Sequence, residues 1–431
     1  MIYSGGTYLS TYIENRGWLY VTATNVERWN ISAGAADDTL YGGALDDTLN
    51  GGGGHDTLIG GLGNDTYIVD ADDTVVRREG EGTADRILVA TDHTLATSLQ
   101  VEVLAAADAA GTAALRLTGN ELAQTITGNA GANTLSDGGG TGADRLQGGA
   151  GSDTYLVGNA LTLIDEGTGQ GTADRVLAGV SFALASDDDV EALATTSSTA
   201  TTAINLTGNA LAQTITGNAG NNVLSDGGGG GKDLLAGLGG NDTFVIRNTG
   251  TTIQEGATEG TADKVLAGLS FALASDDYVE AMATTSSTAT TAINLTGNTL
   301  AQTITGNAGV NRLNGGAGMD RLAGGAGGDV FVFSTALGAS NIDTISDYKV
   351  VDDQFDLDDA VFTKLVLGNL ASGAFVSNTT GLASATGHRI IYENDTGALF
   401  YDPDGSGTAA RIQFAKLTAG LLLTASEFHV M

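Results

Sequence analysis

The chain has no cysteine, one proline, two tryptophans and only 18 lysines and arginines in 431 residues. The missing cysteine excludes disulfides, thiolate metal sites and thiol nucleophiles together. Stability outside a cell would need another source, and metal binding is the obvious one. The shortage of basic residues leaves 51 acids largely unmatched, with a formal net charge of −33. Such a surface repels nucleic acid and anionic membranes and attracts cations. Hard divalent cations in particular prefer carboxylate and carbonyl oxygens. No run approaches the roughly eighteen apolar residues of a membrane span, so none is expected. The opening "MIYSGGTYLSTYIENRGWLY" lacks a basic segment followed by an apolar one. It does not read as a Sec signal peptide, and export would need a different route. Neither HExxH nor GxSxG occurs, which removes the zinc-protease and serine-hydrolase readings. The four histidines, His55, His93, His388 and His429, stand far apart in sequence.

Glycine is abundant, with 65 residues, and 42% of the chain is hydrophobic, enough to bury a core. These residues keep two periods. "LTGN" starts at Leu117, Leu206 and Leu295, and "TAD" followed by a basic residue at Thr83, Thr172 and Thr261, a step of 89 residues in each case. "TTSSTATTAINLTGN" is identical at 195–209 and 284–298. Inside each module lies a period of nine. Residues 33–68 read AGAADDTLY, GGALDDTLN, GGGGHDTLI and GGLGNDTYI. The template is G-G-x-G-x-D-x-U-x, where U is a large apolar residue, a known signature of calcium-binding β-helix repeats.

This pattern implies an all-β fold, a parallel β-roll or β-helix solenoid built from tandem modules. A short strand carries U inward, and glycines turn the chain through conformations other residues resist. Two nonapeptides make one coil, stacked about 4.8 Å from the next by parallel pairing. The spacers between nonapeptide blocks are rich in Val, Leu, Ile, Thr and Ala without a helical period, so the solenoid is expected to continue through them in longer coils. Each aspartate then stands on a turn, one coil away from the next. Carboxylates and turn carbonyls meet there, the oxygen-rich setting that Ca²⁺ takes. Asp38 should pair with Asp56, Asp47 with Asp65, and Asp65 with Asp85 of "GEGTAD". In later modules Asp144, Asp153, Asp174, Asp233, Asp242, Asp263, Asp320, Asp329 and Asp343 are the candidate metal ligands. Some of their expected partners there are amides, Gln124 for Asp144 and Asn133 for Asp153. An amide oxygen can ligate calcium, or the amides can form hydrogen-bonded ladders in a dry turn. No catalytic residues are assigned. The acid cluster "SDDDVE" at 186–191 becomes "SDDYVE" and "TSLQVE" in its internal copies. It reads as a solvated turn, with the persistent Glu102, Glu191 and Glu280 capping it. "DPDGSG" at 402–407 reads as a tight turn, with a short calcium loop of the D-x-D-G-x-G kind, lacking the downstream Glu of an EF-hand, as the alternative. The aromatic-rich first 32 residues, with Trp18, Trp29, Tyr3, Tyr8, Tyr12 and Tyr20, read as a cap on the first coil, with a partner- or sugar-binding aromatic surface and a piece of a further domain as the alternatives.

The nonapeptide blocks resemble the RTX, or haemolysin-type calcium-binding repeat, family of bacterial secreted proteins. The stretch from "DVFVFSTALGASNIDTISDY" at 329–348 through "RIIYENDTGALFYDPDGSG" to "AKLTAGLLLTASEFHVM" is similar to the C-terminal domain of serralysin-type proteases. The resemblance implies several bound Ca²⁺ ions, a C-terminal β cap holding a type I secretion signal, and a secreted or cell-surface location. His429 departs from the apolar run usual at such an end. The expected organisation is a cap at 1–32, modules at 33–118, 119–207 and 208–296, a terminal repeat block at 297–345, and a C-terminal cap and secretion domain at 346–431. Three functions compete. The first is a non-catalytic structural protein that self-assembles or binds cell-surface polysaccharide. The second is the tail of a larger secreted enzyme, adhesin or toxin. The third is a carbohydrate-acting β-helix.

Overall fold

In the nonapeptides, threonine opens most strands and a large apolar residue follows it, a pairing suited to a half-buried pleated surface. A computed structural model describes residues 8–12 and 28–431. The strands are short, as at Thr48–Asn50 and Thr125–Thr127, and in both only the central apolar residue is fully buried. Contacts divide the chain into two units, Met1–Ser197 with Ile204–Ile215, and Ser198–Ala203 with Thr216–Met431.

In the first unit a nine-stranded parallel sheet begins at Tyr8–Tyr12 and Arg28–Ser32 and ends at Arg145–Gln147 and Leu163–Ile164. Alternate strands of the chain, among them Arg116–Thr118, Thr134–Ser136, Thr154–Val157 and Arg175–Ala178, belong to a different sheet. Each coil therefore gives one strand to each wall, which is the β-solenoid. Its core is a file of side chains in register: Leu49, Tyr67, Ile87, Leu104, Ile126 and Leu146. All six are completely buried. The expectation that spacers extend the solenoid holds. Spacer strand Val103–Ala106 pairs with Arg86–Val89 on one side and Thr125–Thr127 on the other.

In the second unit the equivalent file is Leu224, Phe244, Val265, Met282, Ile304, Leu322 and Ile345. The C-terminal region closes both walls of this unit. Ile412–Lys416 adds in parallel to Asp343–Ile345, and the pairing then turns antiparallel through Ala398–Tyr401 and Ile390–Glu393. On the other wall, Phe428–Val430 pairs with Gln354–Leu357. Phe428 stacks on Phe355 at 4.7 Å, and Phe355 on Tyr348 at 4.5 Å, so aromatic rings seal the core. His429 is accounted for here. It sits beside Asp356, with Nδ1 3.2 Å from the carboxylate, and Asp356 also pairs with Arg312. An outward ladder position takes a polar residue without cost to the core. The expected N-terminal aromatic cap lies mostly outside the described residues. Trp29 lies within strand Arg28–Ser32, and its backbone N–H donates to Asp47 Oδ1 at 2.6 Å.

The "LTGN" repeat has a specific use. Asn120, Asn209 and Asn298 are buried, and each side-chain amide donates to two carbonyls of the preceding spacer turn. For Asn209 these are Ala185 and Asp188, both at 2.8 Å. Asn209→Ala removes a donor from each of two carbonyls. At saturating calcium it should lower stability by about 2 kcal/mol, read as an earlier urea midpoint.

Candidate metal centres

Most nonapeptide aspartates are tied to the next coil, their backbone N–H donating to the Oδ1 of the acid one coil further along. Asp38 donates to Asp56 at 2.7 Å, Asp47 to Asp65 at 2.8 Å, and Asp65 to Asp85 at 2.6 Å. The first two links span 18 residues and the third 20, so the ladder passes through coils of different length. The same link joins Gln124 to Asp144, Asn133 to Asp153, and Asp153 to Asp174. In the second unit it joins Asn222 to Asp242, Asp242 to Asp263, Asp320 to Asp343, and Asn311 to Asp329. The pairs expected from the sequence spacing are thus brought together. Glu102, Glu191 and Glu280 end three of these ladders by accepting the N–H of Asp85, Asp174 and Asp263.

This ladder uses one carboxylate oxygen only. The Oδ2 atoms of Asp47, Asp56, Asp65, Asp144, Asp153, Asp174, Asp242, Asp263 and Asp320 are buried and meet no hydrogen-bond donor. A buried carboxylate is normally paired or coordinated to metal. The space beside these atoms is kept open by glycine. A Cβ placed on Gly51 would stand 2.7 Å from both Asp56 Oδ2 and Asp73 Oδ2. One placed on Gly42 would meet Asp47 Oδ2 and the Gly60 carbonyl. Orphaned carboxylate oxygens next to a main-chain carbonyl, in a cradle that one methyl would fill, suit a hard, oxygen-seeking cation.

Some positions fill the cradle differently. Asn133 Nδ2 donates to the carbonyls of Gly131 at 2.5 Å and Asn129 at 3.1 Å, and to Asp153 Oδ1 at 3.1 Å. Gln124 bonds to Asn120 through Nε2 at 2.7 Å. Asp233 differs from Asp144, because its Oδ2 accepts from Asn248 Nδ2 at 3.0 Å. Asp137 is fully used: Oδ1 accepts from Gly139, and Oδ2 from the N–H of Gly158 and Asn159 and from Thr162 Oγ1. These amide and hydroxyl contacts are the dry, hydrogen-bonded alternative at work beside the orphaned acids. The "SDDDVE" cluster is not wholly solvated. Asp188 is buried and caps the turn by accepting from the Ala185 N–H at 2.8 Å. At "DPDGSG", Asp402 and Asp404 accept backbone N–H groups within the turn.

Two acids missed at the sequence level enter the sites. Glu166 lies with Asp153 and Asp174, and Glu255 with Asp242 and Asp263. In each trio all residues are buried, and ligand atoms lie within 4.8 Å of one another. Asp73 and Asp353 are also ladder acceptors, for Asp56 and Asp329. None of these four sits at the sixth position of a clear nonapeptide, so the period does not mark them.

Burial pushes these carboxyls up from 3.8. Asp56, Asp65, Asp174, Asp242 and Asp329 reach about 6, with neighbouring carboxylates adding to the desolvation. Asp144 reaches about 7, again mainly by desolvation. Asp320 and Asp343, one facing the other, are both raised by burial. The folded chain without metal therefore binds more protons than the unfolded chain between the ordinary and the raised values. Its stability falls as pH rises through that window. Exhaustively dialysed, metal-free protein should show more β signal by circular dichroism at about pH 5 than at about pH 8, and saturating calcium should abolish the difference. Equal metal-free spectra at the two pH values would contradict this account. Gly51→Ala should cost about one bound calcium ion per chain by equilibrium dialysis, since its methyl would enter the cradle.

The comparison with protein families agrees with this geometry. The model of the RTX calcium-binding nonapeptide repeat (4 copies) matches residues 32–67, 118–154, 139–159, 207–244 and 296–331. No curated protein matches the chain. The matched segments carry the orphaned Asp47, Asp56, Asp65, Asp144, Asp153, Asp242 and Asp320, while Asp174 and Asp263 lie just beyond them. These blocks of the chain are RTX calcium-binding nonapeptide repeats.

Proposed function

We propose that the protein is a secreted, non-catalytic structural protein whose solenoid closes on extracellular calcium. The observation that supports this most is the set of buried Oδ2 atoms without a donor. Stacked carboxylates oppose closure of the coils, and a divalent cation at each cradle removes the opposition. Ligation and folding then become one event. Extracellular calcium modules typically have dissociation constants of about 10⁻⁴–10⁻³ M. At cytosolic calcium the chain stays open, and it closes outside, which suits passage through a type I secretion channel.

A structural role is supported by how the acids are used. Those outside the cradles cap turns or anchor coils, as Asp188, Asp277 and Asp137 do. The remaining exposed acids of "SDDDVE" change between internal copies, which a shared catalytic group would not tolerate. Among the described residues no helix is long and apolar enough to cross a membrane. The partners that fit are calcium itself, further copies of the chain and acidic cell-surface polysaccharide bridged by calcium.

Calcium titration followed by far-UV circular dichroism tests the mechanism. An unordered spectrum in chelator should convert to β structure near millimolar Ca²⁺. A spectrum that ignores calcium would sink the reading. Release of product from acidic polysaccharides would overturn the non-catalytic part alone, and sedimentation in calcium reports self-assembly directly.

A further inference from the structure

Three homologous positions, 77, 166 and 255, lie 89 residues apart, each just ahead of a "TAD" turn. The GTAD that follows is constant, but the residue is Arg77 in the first module and Glu166 and Glu255 in the next two. All three side chains are buried. In the first module the Arg77 guanidinium pairs with Asp85 Oδ2, and both side chains are almost completely buried. Arg77 Nη1 also donates to the Gly61 carbonyl at 3.0 Å. A Cβ placed on Gly82 would meet the Gly63 carbonyl, Asp85 Oδ2 and Arg77 Nη2 together, so the guanidinium stands inside the cradle.

The later modules keep that cradle. At Gly171 a Cβ would meet Asp174 Oδ2 and the Gly151 carbonyl, and at Gly260 it would meet Asp263 Oδ2 and the Gly240 carbonyl. What enters it is a third carboxylate instead of a cation. Glu255 has both oxygens buried without a donor, as have Asp242 and Asp263 their Oδ2 atoms. Glu166 has one such oxygen, because Tyr155 Oη donates to the other. Phe244, the counterpart of Tyr155 on strand Thr243–Ile246, offers no hydroxyl to Glu255. Three buried carboxylates with no cation among them are a configuration that folding does not tolerate unaided.

We infer that Asp153/Glu166/Asp174 and Asp242/Glu255/Asp263 are divalent-cation sites completed by the glutamate, and that Arg77 takes the place of the ion in the first module. This rests on the calcium-folding reading and adds to it a second class of site, whose glutamate lies outside the nonapeptide template. A trio of carboxylates brings more charge to the ion than the paired aspartates of the nonapeptide turns, so these two sites fill first. The Arg77 site closes without metal.

Ion counting on the full chain tests this, with calcium alone as the probe. Equilibrium dialysis at low free calcium should give about two fewer ions per chain for the Glu166→Gln/Glu255→Gln double variant, and about one fewer for each single variant. Arg77→Glu should gain about one ion. Wild-type folding on calcium followed by circular dichroism is the parallel control. If wild type folds on calcium and the glutamate variants bind as many ions with unchanged affinity, this inference fails while the folding mechanism stands. If Arg77→Glu folds in calcium and gains no ion, the guanidinium is not standing in for one. A wild type that binds no calcium overturns both readings. Should the double variant fail to fold, the single variants decide.

Discussion

Each ladder aspartate commits one oxygen to the backbone of the neighbouring coil and leaves the other facing an oxygen-lined space. The rest of the structure follows from that division. The committed oxygen sets the register between coils, because it ties one turn to the next at a fixed place whether the coil has 18 residues or 20. The free oxygen makes the same turn unstable as an anion. Register and ion dependence are therefore two faces of one carboxylate, and neither can be altered without the other.

The apolar file inside the coils is indifferent to this. Leu58 and Ile126 are fully buried whichever group fills the adjacent turn. Turns with amides show it: Asn133 supplies hydrogen atoms to the carbonyls and carboxylate around it, and the coil stacks as its neighbours do. A neutral amide gives local closure without an ion. An acid gives closure conditional on one. The chain mixes the two, so parts of it depend on calcium more than others.

The solenoid was legible because its signals are periodic. Glycine pairs and the D-x-U triplet announce the turn and the inward residue in every nonapeptide, and the aspartate partners one coil apart follow from counting. Spacer strands were legible in kind from their β-branched residues. What counting missed lies where the period breaks. Glu166 and Glu255 reach their sites from irregular turns, and their spacing from the preceding aspartate is set by tertiary closure. A signal existed, an acid at 166 and 255 against a base at 77 ahead of the same GTAD, but its meaning needed the third dimension. Asp188 was misjudged for a related reason. Its neighbours Asp187 and Asp189 vary or face solvent, and one buried turn cap inside an acidic run looks like the rest of the run.

The identical stretch at 195–209 and 284–298 has a consequence for how such a chain changes over time. Asn209 and Asn298 find the same two carbonyls, each in the spacer immediately before it. Each fastener thus joins a module to the spacer just before it and asks nothing particular of distant ones. Unequal recombination between the repeated segments of the gene would insert or delete a whole module while every fastener keeps an equivalent partner. The length of the array is free to drift in steps of 89 residues, and each copy brings its own residue at the position of 77, 166 or 255.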